Sequence, residues 1–304
     1  MTAGHLKVQE FAGKSPGPHL LITGGVHGDE FEPIAAIRTL LQLIDEQSGR
    51  SALLNGRLSL VPCVNEEAFL LGRRCASDGL DLARTCPGRS DGSITERTAW
   101  ALSKLIRSAD YYIDLHTGGT EFSIYPLAGY MLHPNAKVLE AQRRMARAFG
   151  LAISWGTAPH LDGRSLSVAR DAQVPAIYCE YLGSAVCSQA GVEAYVRGCL
   201  NVMAELKMID RPLVAETAQS VVEDPRENSG HLQVCNPAPV DGFFETKVEL
   251  GQHVAAGTIL GTVISLEDSS RHPVMSSHAG RVLMLRTFPR VRAGESVGVV
   301  LESV

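Results

Sequence analysis

No apolar run in the 304-residue chain approaches the length of a membrane span. The first residues, Met1-Thr2-Ala3-Gly4-His5, lack the charged-then-apolar pattern of a secretion signal. No block of lysines and arginines stands out either. With a formal net charge of -5, neither nucleic acid nor an acidic membrane surface is an expected partner. Seven cysteines are scattered without one Cys-x-x-Cys pair, and an odd, scattered set does not suit a disulfide framework. Reduced thiols in a cytoplasm are the expectation. Cys179, beside Glu180, then reads as a buried strand thiol and not as a nucleophile. Charged residues make up only 20% and hydrophobic ones 45%, the balance of a globular protein long enough for a large core and two domains.

What the chain does have is a set of apolar runs that end in chemistry. Leu20-Leu21-Ile22 reads as a buried strand and leads into Gly24-Gly25-Val26-His27-Gly28-Asp29-Glu30. Glycine lets the backbone turn there. Pro33 suits a first helical turn, and Ile34, Ile37, Leu41 and Ile44 follow at helical spacing. His27 and Glu30 thus fall on a loop between a strand end and a helix, where open α/β sheets keep ligands. A neutral imidazole and a carboxylate suit zinc, and two ligands need a third. Taken alone, His-x-x-Glu is as readily two ordinary loop residues, with Glu favoured near a helix start. Two further runs change that balance. Tyr111-Tyr112-Ile113-Asp114-Leu115-His116 ends in His before Thr117-Gly118-Gly119, and Ala176-Ile177-Tyr178-Cys179-Glu180 ends in Glu before Gly183.

Strands and helices alternate to about Arg211. Leu6 to Phe11 reads as an edge strand, Gly13 to Pro18 as a turn, and Leu58 to Pro62 and Leu151 to Ser154 as further strands. Ser93-Ile94-Thr95-Glu96 is a capping-box pattern, and Asn135 and Gly150 bracket another helix. A long polar segment from Asn65 to Gly92 carries Arg73, Arg74 and Asp78-Gly79-Leu80-Asp81-Leu82-Ala83-Arg84. The expected architecture is α/β, with a mixed central sheet and helices on both faces. After Pro212 the pattern changes to short β-branched runs between Gly and Pro. Val254-Ala255-Ala256-Gly257-Thr258-Ile259-Leu260-Gly261 repeats 37 residues later as Val291-Arg292-Ala293-Gly294-Glu295-Ser296-Val297-Gly298. Two similar hairpin units facing each other across a small β core are expected. This segment resembles the lipoyl/biotinyl-type barrel-sandwich domain, but Leu266 to Gly280 holds no lysine to carry a cofactor. The expected division is therefore a catalytic domain over residues 1–212 and a C-terminal β capping domain over 213–304.

Taken together, Gly25 to Glu30, Asp81-Leu82-Ala83-Arg84, Asp114-Leu115-His116-Thr117-Gly118 and Glu180-Tyr181-Leu182-Gly183 resemble, in order and spacing, the succinylglutamate desuccinylase/aspartoacylase family of zinc amidohydrolases. The resemblance spans almost the whole chain and implies a carboxypeptidase-like fold. It implies His27, Glu30 and His116 as ligands of one Zn2+ per chain, with water in the open position, and Glu180 as the general base. Asp114, two residues before His116 on a strand, is a candidate to orient the imidazole, or else to bond a local backbone amide. Arg84 matches the arginine that grips the substrate carboxylate. Arg73 or Arg74 matches the one that stabilises the oxyanion. Arg73 is taken for that role, with Arg74 as a substrate contact. Ala83 departs from the Asn that many relatives carry, and cannot donate that amide bond. His133, His160, His231, His253, His272 and His278 read as loop or surface residues, with His160 the first candidate to line the pocket. The implied activity is hydrolysis of the amide of a small N-acylated amino acid. A metallocarboxypeptidase acting on peptides and a non-catalytic binding protein are the alternatives. The oligomeric state is left open, a homo-oligomer included.

Overall fold

The computed structural model describes residues 6–46, 55–214, 220–227, 229–230, 232 and 235–302. The readings of residues 1–5 and of His231 lie outside the described residues. In chain order the first part runs β1 (Gln9–Ala12), β2 (Ser15–Thr23), α1 (Phe31–Glu46), β3 (Asn55–Val61), α2 (Glu66–Leu70), α3 (Ile94–Ser108), β4 (Tyr111–His116) and β5 (Phe122–Met131). It continues with α4 (Ala136–Phe149), β6 (Ile153–Thr157), α5 (Ser165–Asp171), β7 (Ala176–Gly183), α6 (Gln189–Glu205) and β8 (Ser220–Glu223).

Strands β3, β2, β4 and β7 are parallel neighbours, and β1 closes one edge antiparallel to β3. Beyond β7 the direction reverses. β5 is antiparallel to β7 and carries β6, then β8, parallel to itself. The central strands are apolar throughout because both their faces are covered. Leu20, Ile22, Ile113, Leu115 and Ile177 pack on one face with α1, α4 and α6. Leu21, Tyr112 and Ala176 point the other way, toward α3 and α5. The expected mixed sheet with helices on both faces is what the chain forms.

Local signals hold the helices as anticipated. Ser93 and Glu96 close a capping box on α3, Asn135 caps α4, and Gly150 ends α4 at φ 81°. Asp78 accepts from Ser93 Oγ, Thr95 Oγ1 and the Thr95 amide, so the long 65–92 segment is tied to the start of α3. One expected turn is wrong. Ser15 to Pro18 already belong to β2, because prolines at an exposed strand start forgo no central ladder bond.

The C-terminal part holds β9 (Gly242–Thr246), β10 (His253–Val254), β11 (Ile259–Ser265), β12 (Arg271–Met275), β13 (Gly280–Arg286), β14 (Arg290–Val291) and β15 (Gly298–Glu302). Its two repeats are interlocked. β9 pairs with β11 of its own unit and β14 of the other, while β13 pairs with β15 of its own unit and β10 of the other. Val254 and Val291, the first residues of the repeated motif, therefore sit on the exchanged strands.

The two parts share one sheet. β5 is long enough to split. Its last residues, Leu127 to Met131, hold β6, and its first, Phe122 to Ile124, hold β13. Leu283, Met284 and Val299 pack there with Ile124, Leu127, Ile153 and Trp155. β8 also lies beyond residue 212 and pairs with β6, so the sheet runs across the boundary expected at 212–213. Arg286, almost wholly buried, donates to the carbonyls of Ser296 and Arg290 and to Glu121, on the loop before β5.

Ending the chain at Arg211 would strip β8 and β13 from this sheet and uncover Ile124, Leu127 and Trp155. An exposed apolar patch of that kind drives association. Such a chain should aggregate, as judged by soluble yield and size-exclusion profile. A soluble, monodisperse product would show that the C-terminal part is dispensable for folding.

Candidate metal centre and its pocket

The parallel strands β2, β4 and β7 all end at the same edge of the sheet. After Thr23 the chain turns through Gly25, which has φ 63°. A side chain on Gly28 would place its Cβ 2.0 Å from the Ala68 carbonyl carbon, so the loop lies directly on the backbone at α2. This pins His27 and Glu30. From β4 comes His116, whose register partner on β7 is Glu180. Asp114 and Tyr178 are partners two residues earlier on the same two strands, so all four side chains share one face.

Ligand atoms of His27, Glu30 and His116 lie within 4.8 Å of one another. Glu30 sits between the two imidazoles. Its Oε1 is 2.7 Å from His27 Nδ1, and its Oε2 is 3.0 Å from His116 Nδ1. Each imidazole turns its other nitrogen to a second carboxylate. His27 Nε2 is 3.1 Å from Asp81 Oδ1, and His116 Nε2 is 3.1 Å from Asp114 Oδ2. Both outer carboxylates are themselves held. Thr23 and Ser165 donate to Asp114, while Arg74 and the Ala83 amide donate to Asp81. Asp114 thus takes the orienting role rather than bonding a local amide.

Comparison with known proteins decides the lineage. The succinylglutamate desuccinylase/aspartoacylase catalytic-domain signature matches residues 16–206. The chain belongs to the succinylglutamate desuccinylase/aspartoacylase family. It is 30% identical, over 96% of its length and 84% of the relative's, to the N-alpha-acetyl-L-2,4-diaminobutyric acid deacetylase of Halomonas elongata. A product-bound structure of the ectoine utilization protein EutE (DoeB) from Ruegeria pomeroyi is 25% identical, with a TM-score of 0.85 over 97% of this chain and 88% of that one. A desuccinylase/aspartoacylase structure from Rhodobacter sphaeroides, 24% identical, shares the fold with a TM-score of 0.84 over 98% of this chain and 90% of that one.

The charges of this family member's site fit a divalent cation. Burial works against ionising Glu30, but the flanking imidazoles outweigh it and lower the carboxyl to about 2. Burial likewise opposes a charged His116, yet Asp114 and Glu30 on its two sides hold it well above the usual histidine range. Two imidazoles therefore face four carboxylates in a confined space: Glu30, Asp81, Asp114 and Glu180. Glu180 Oε2 is buried without a hydrogen-bond partner. A nitrogen, nitrogen, oxygen donor set with excess negative charge behind it is what a catalytic zinc site presents.

Around the centre lies a pocket lined by Arg74, Arg84, Arg164, Tyr178, Phe122 and Met284, among others. Here one assignment is corrected. Arg73 does not reach the pocket. It is exposed and donates to the carbonyls of Cys75 and Ala76. Arg74 points inward, donating to Asp81 Oδ2 at 2.9 Å from Nη2. Adjacent residues of a turn diverge, and sequence spacing does not say which one turns in. Arg84 and Ala83 line the pocket as expected. His160 does not; it borders a separate depression with His133, Asp162 and Arg170. His133, expected on a loop or at the surface, lies on the loop after β5, is buried and accepts from the Asn135 amide. Sequence reasoning missed Arg164 and Tyr178 as pocket residues. The only signal for Tyr178 was its period-two spacing from Glu180, and Arg164 stood next to Gly163, which packs on the Arg84 carbonyl.

Because the donors come from two separate elements, a bound ion should tie them together and stabilise the fold. At 100 times its dissociation constant a ligand contributes about 2.7 kcal/mol. Adding zinc to chelator-stripped protein should raise Tm by several degrees. His116→Ala should abolish the shift and lower metal content, while the circular dichroism spectrum is kept. A full zinc complement in that variant would remove His116 from the ligand set.

Proposed function

We propose that this chain is a zinc-dependent deacylase that hydrolyses the amide of a small N-acylated amino acid. The observation that carries the reading is the convergence of His27, Glu30 and His116 with the unpartnered Glu180 carboxylate beside them. The deacetylase relative supports amide hydrolysis as the reaction class. One Zn2+ held by the three donors would act as a Lewis acid on the scissile carbonyl and acidify water.

The chain's own groups would do the rest. Glu180 is the proton carrier. Burial pushes its carboxyl up to about 8, so it holds a proton more readily than an ordinary glutamate. A base of that strength takes a proton from water and passes it to the leaving amine. Arg74, fixed by two hydrogen bonds to Asp81, brings a positive charge to where the oxyanion develops. Arg84 and Arg164 grip the substrate carboxylate, a task that suits guanidinium forks. Leu232 and Met284, both beyond residue 212, form a wall of the pocket and favour small substrates over peptides.

The decisive assay is hydrolysis of a panel of N-acetyl L-amino acids by zinc-loaded protein, with N-acetyl-L-2,4-diaminobutyrate among them. No turnover of any member would sink the deacylase reading. Glu180→Gln keeps the shape but cannot accept the proton, so kcat should fall about 10²–10⁴-fold. Zinc content should stay at the wild-type level. Near-normal kcat in the folded, zinc-loaded variant would send the search for the base elsewhere.

A paired comparison separates the two adjacent arginines. Arg74→Ala should cost about 10²–10³-fold in kcat, the usual loss for one oxyanion donor. Arg73→Ala, a surface change, should stay within about twofold. The reverse pattern would restore Arg73 to the catalytic role.

A further inference from the structure

Tyr178 lines the pocket, two residues before Glu180 on β7 and on the same face. Its ring lies across Gly129, its register partner on β5. A Cβ on Gly129 would fall 2.1 Å from Tyr178 Cε1 and 2.5 Å from its hydroxyl oxygen. Only glycine leaves room for the ring in that orientation, so the hydroxyl is aimed by the backbone of a neighbouring strand. Among the described residues the hydroxyl has no hydrogen-bond partner. A half-buried phenol normally finds one. The hydroxyl is open to the pocket, where water or a bound ligand can supply one.

The surroundings specify its chemistry. Arg164, near enough to Tyr178 for their charges to interact, makes no ion pair with the described residues. Burial and repulsion from Arg84 bring Arg164 down to about 10, and both guanidiniums line the pocket. Ala83, on the same pocket wall and packed against the same apolar cluster as Tyr178, offers only a methyl.

We propose that Tyr178 is a specificity-determining residue whose hydroxyl donates a hydrogen bond to the substrate carboxylate held by Arg84 and Arg164. This rests on the deacylase reading and adds to it the group that completes the carboxylate subsite. It also makes Gly129 a positioning residue, since any side chain there displaces the Tyr178 ring.

The test is Tyr178→Phe, which removes one oxygen that bonds no described residue. The substrate is whichever member of the N-acetyl L-amino acid panel the wild type hydrolyses best. A hydrogen bond to a carboxylate predicts a KM rise of about tenfold to a hundredfold. kcat should change far less, and zinc content and Tm should match the wild type, which a merely structural tyrosine would not allow. An unchanged KM in an active variant means that the hydroxyl faces water alone, and it overturns the assignment while leaving the deacylase reading intact. A fall in kcat with KM unchanged also overturns it, by placing Tyr178 in the chemical step. A wild type inactive on the whole panel overturns the deacylase reading itself, and this assignment with it.

Discussion

The rest of this molecule is arranged around a buried cluster of carboxylates. Glu30, Asp81, Asp114 and Glu180 converge on two imidazoles at the ends of parallel strands. Carboxylates this confined repel one another and have lost much of their water, which is costly unless cations and hydrogen bonds offset it. Arg74, Thr23, Ser165 and the backbone amide of Ala83 supply part of the compensation. The donor geometry accounts for the rest, since two Nδ1 atoms and one carboxylate converge on a single point fit for a divalent ion. Each imidazole is held from behind by its own carboxylate, which fixes both ring orientation and the nitrogen that faces inward.

That arrangement depends on a rigid platform. His116 and Glu180 are cross-strand partners, so their spacing is set by the sheet and not by loop conformation. Tyr195, on α6, donates to the carbonyls of His116 and Cys179 and ties the ends of both strands to the helix layer. The loop of His27 and Glu30 is less regular, but it is pressed against α2 at Gly28, and Asp29 accepts from the Thr120 amide. The loop after His116 is anchored in turn through Glu121 to Arg286 and Arg290 of the C-terminal part. The C-terminal part is thereby coupled to the site by charge as well as by the shared strand β5.

Splitting β5 between two partners is what builds the pocket. One sheet cannot stay flat while β6 and β13 both leave from the same side of one strand. The divergence leaves a cleft beside the strand ends, walled by Phe122 and Ile124 from β5 and Met284 from β13. The interlocked repeats make that wall stiff, since neither hairpin unit completes its sheet without a strand of the other.

The sequence by itself was enough to single out His27, Glu30 and His116, which the structure brings together, and to set the layer order. Continuous apolar runs that end in His116 and Glu180, or lead into the loop of His27, carry their own signal, because buried parallel strands must be apolar and their carboxyl ends must face one edge. Capping patterns at Ser93 and Asn135 were legible for a similar reason, being local bonds within three residues. Features that depend on long-range placement were not legible. Spacing did not distinguish Arg73 from Arg74, whose directions are decided by Asp81 and by the carbonyls of Cys75 and Ala76. Arg164 and Tyr178 enter the pocket only because α5 and β5 fold beside them. The repeat at Val254 and Val291 announced two similar units, but strand exchange between them is a property of tertiary pairing. The expected boundary at 212 marked a real change of pattern, from helical periods to short β runs. The sheet nevertheless crosses it, because β6 and β5 leave backbone edges that β8 and β13 satisfy.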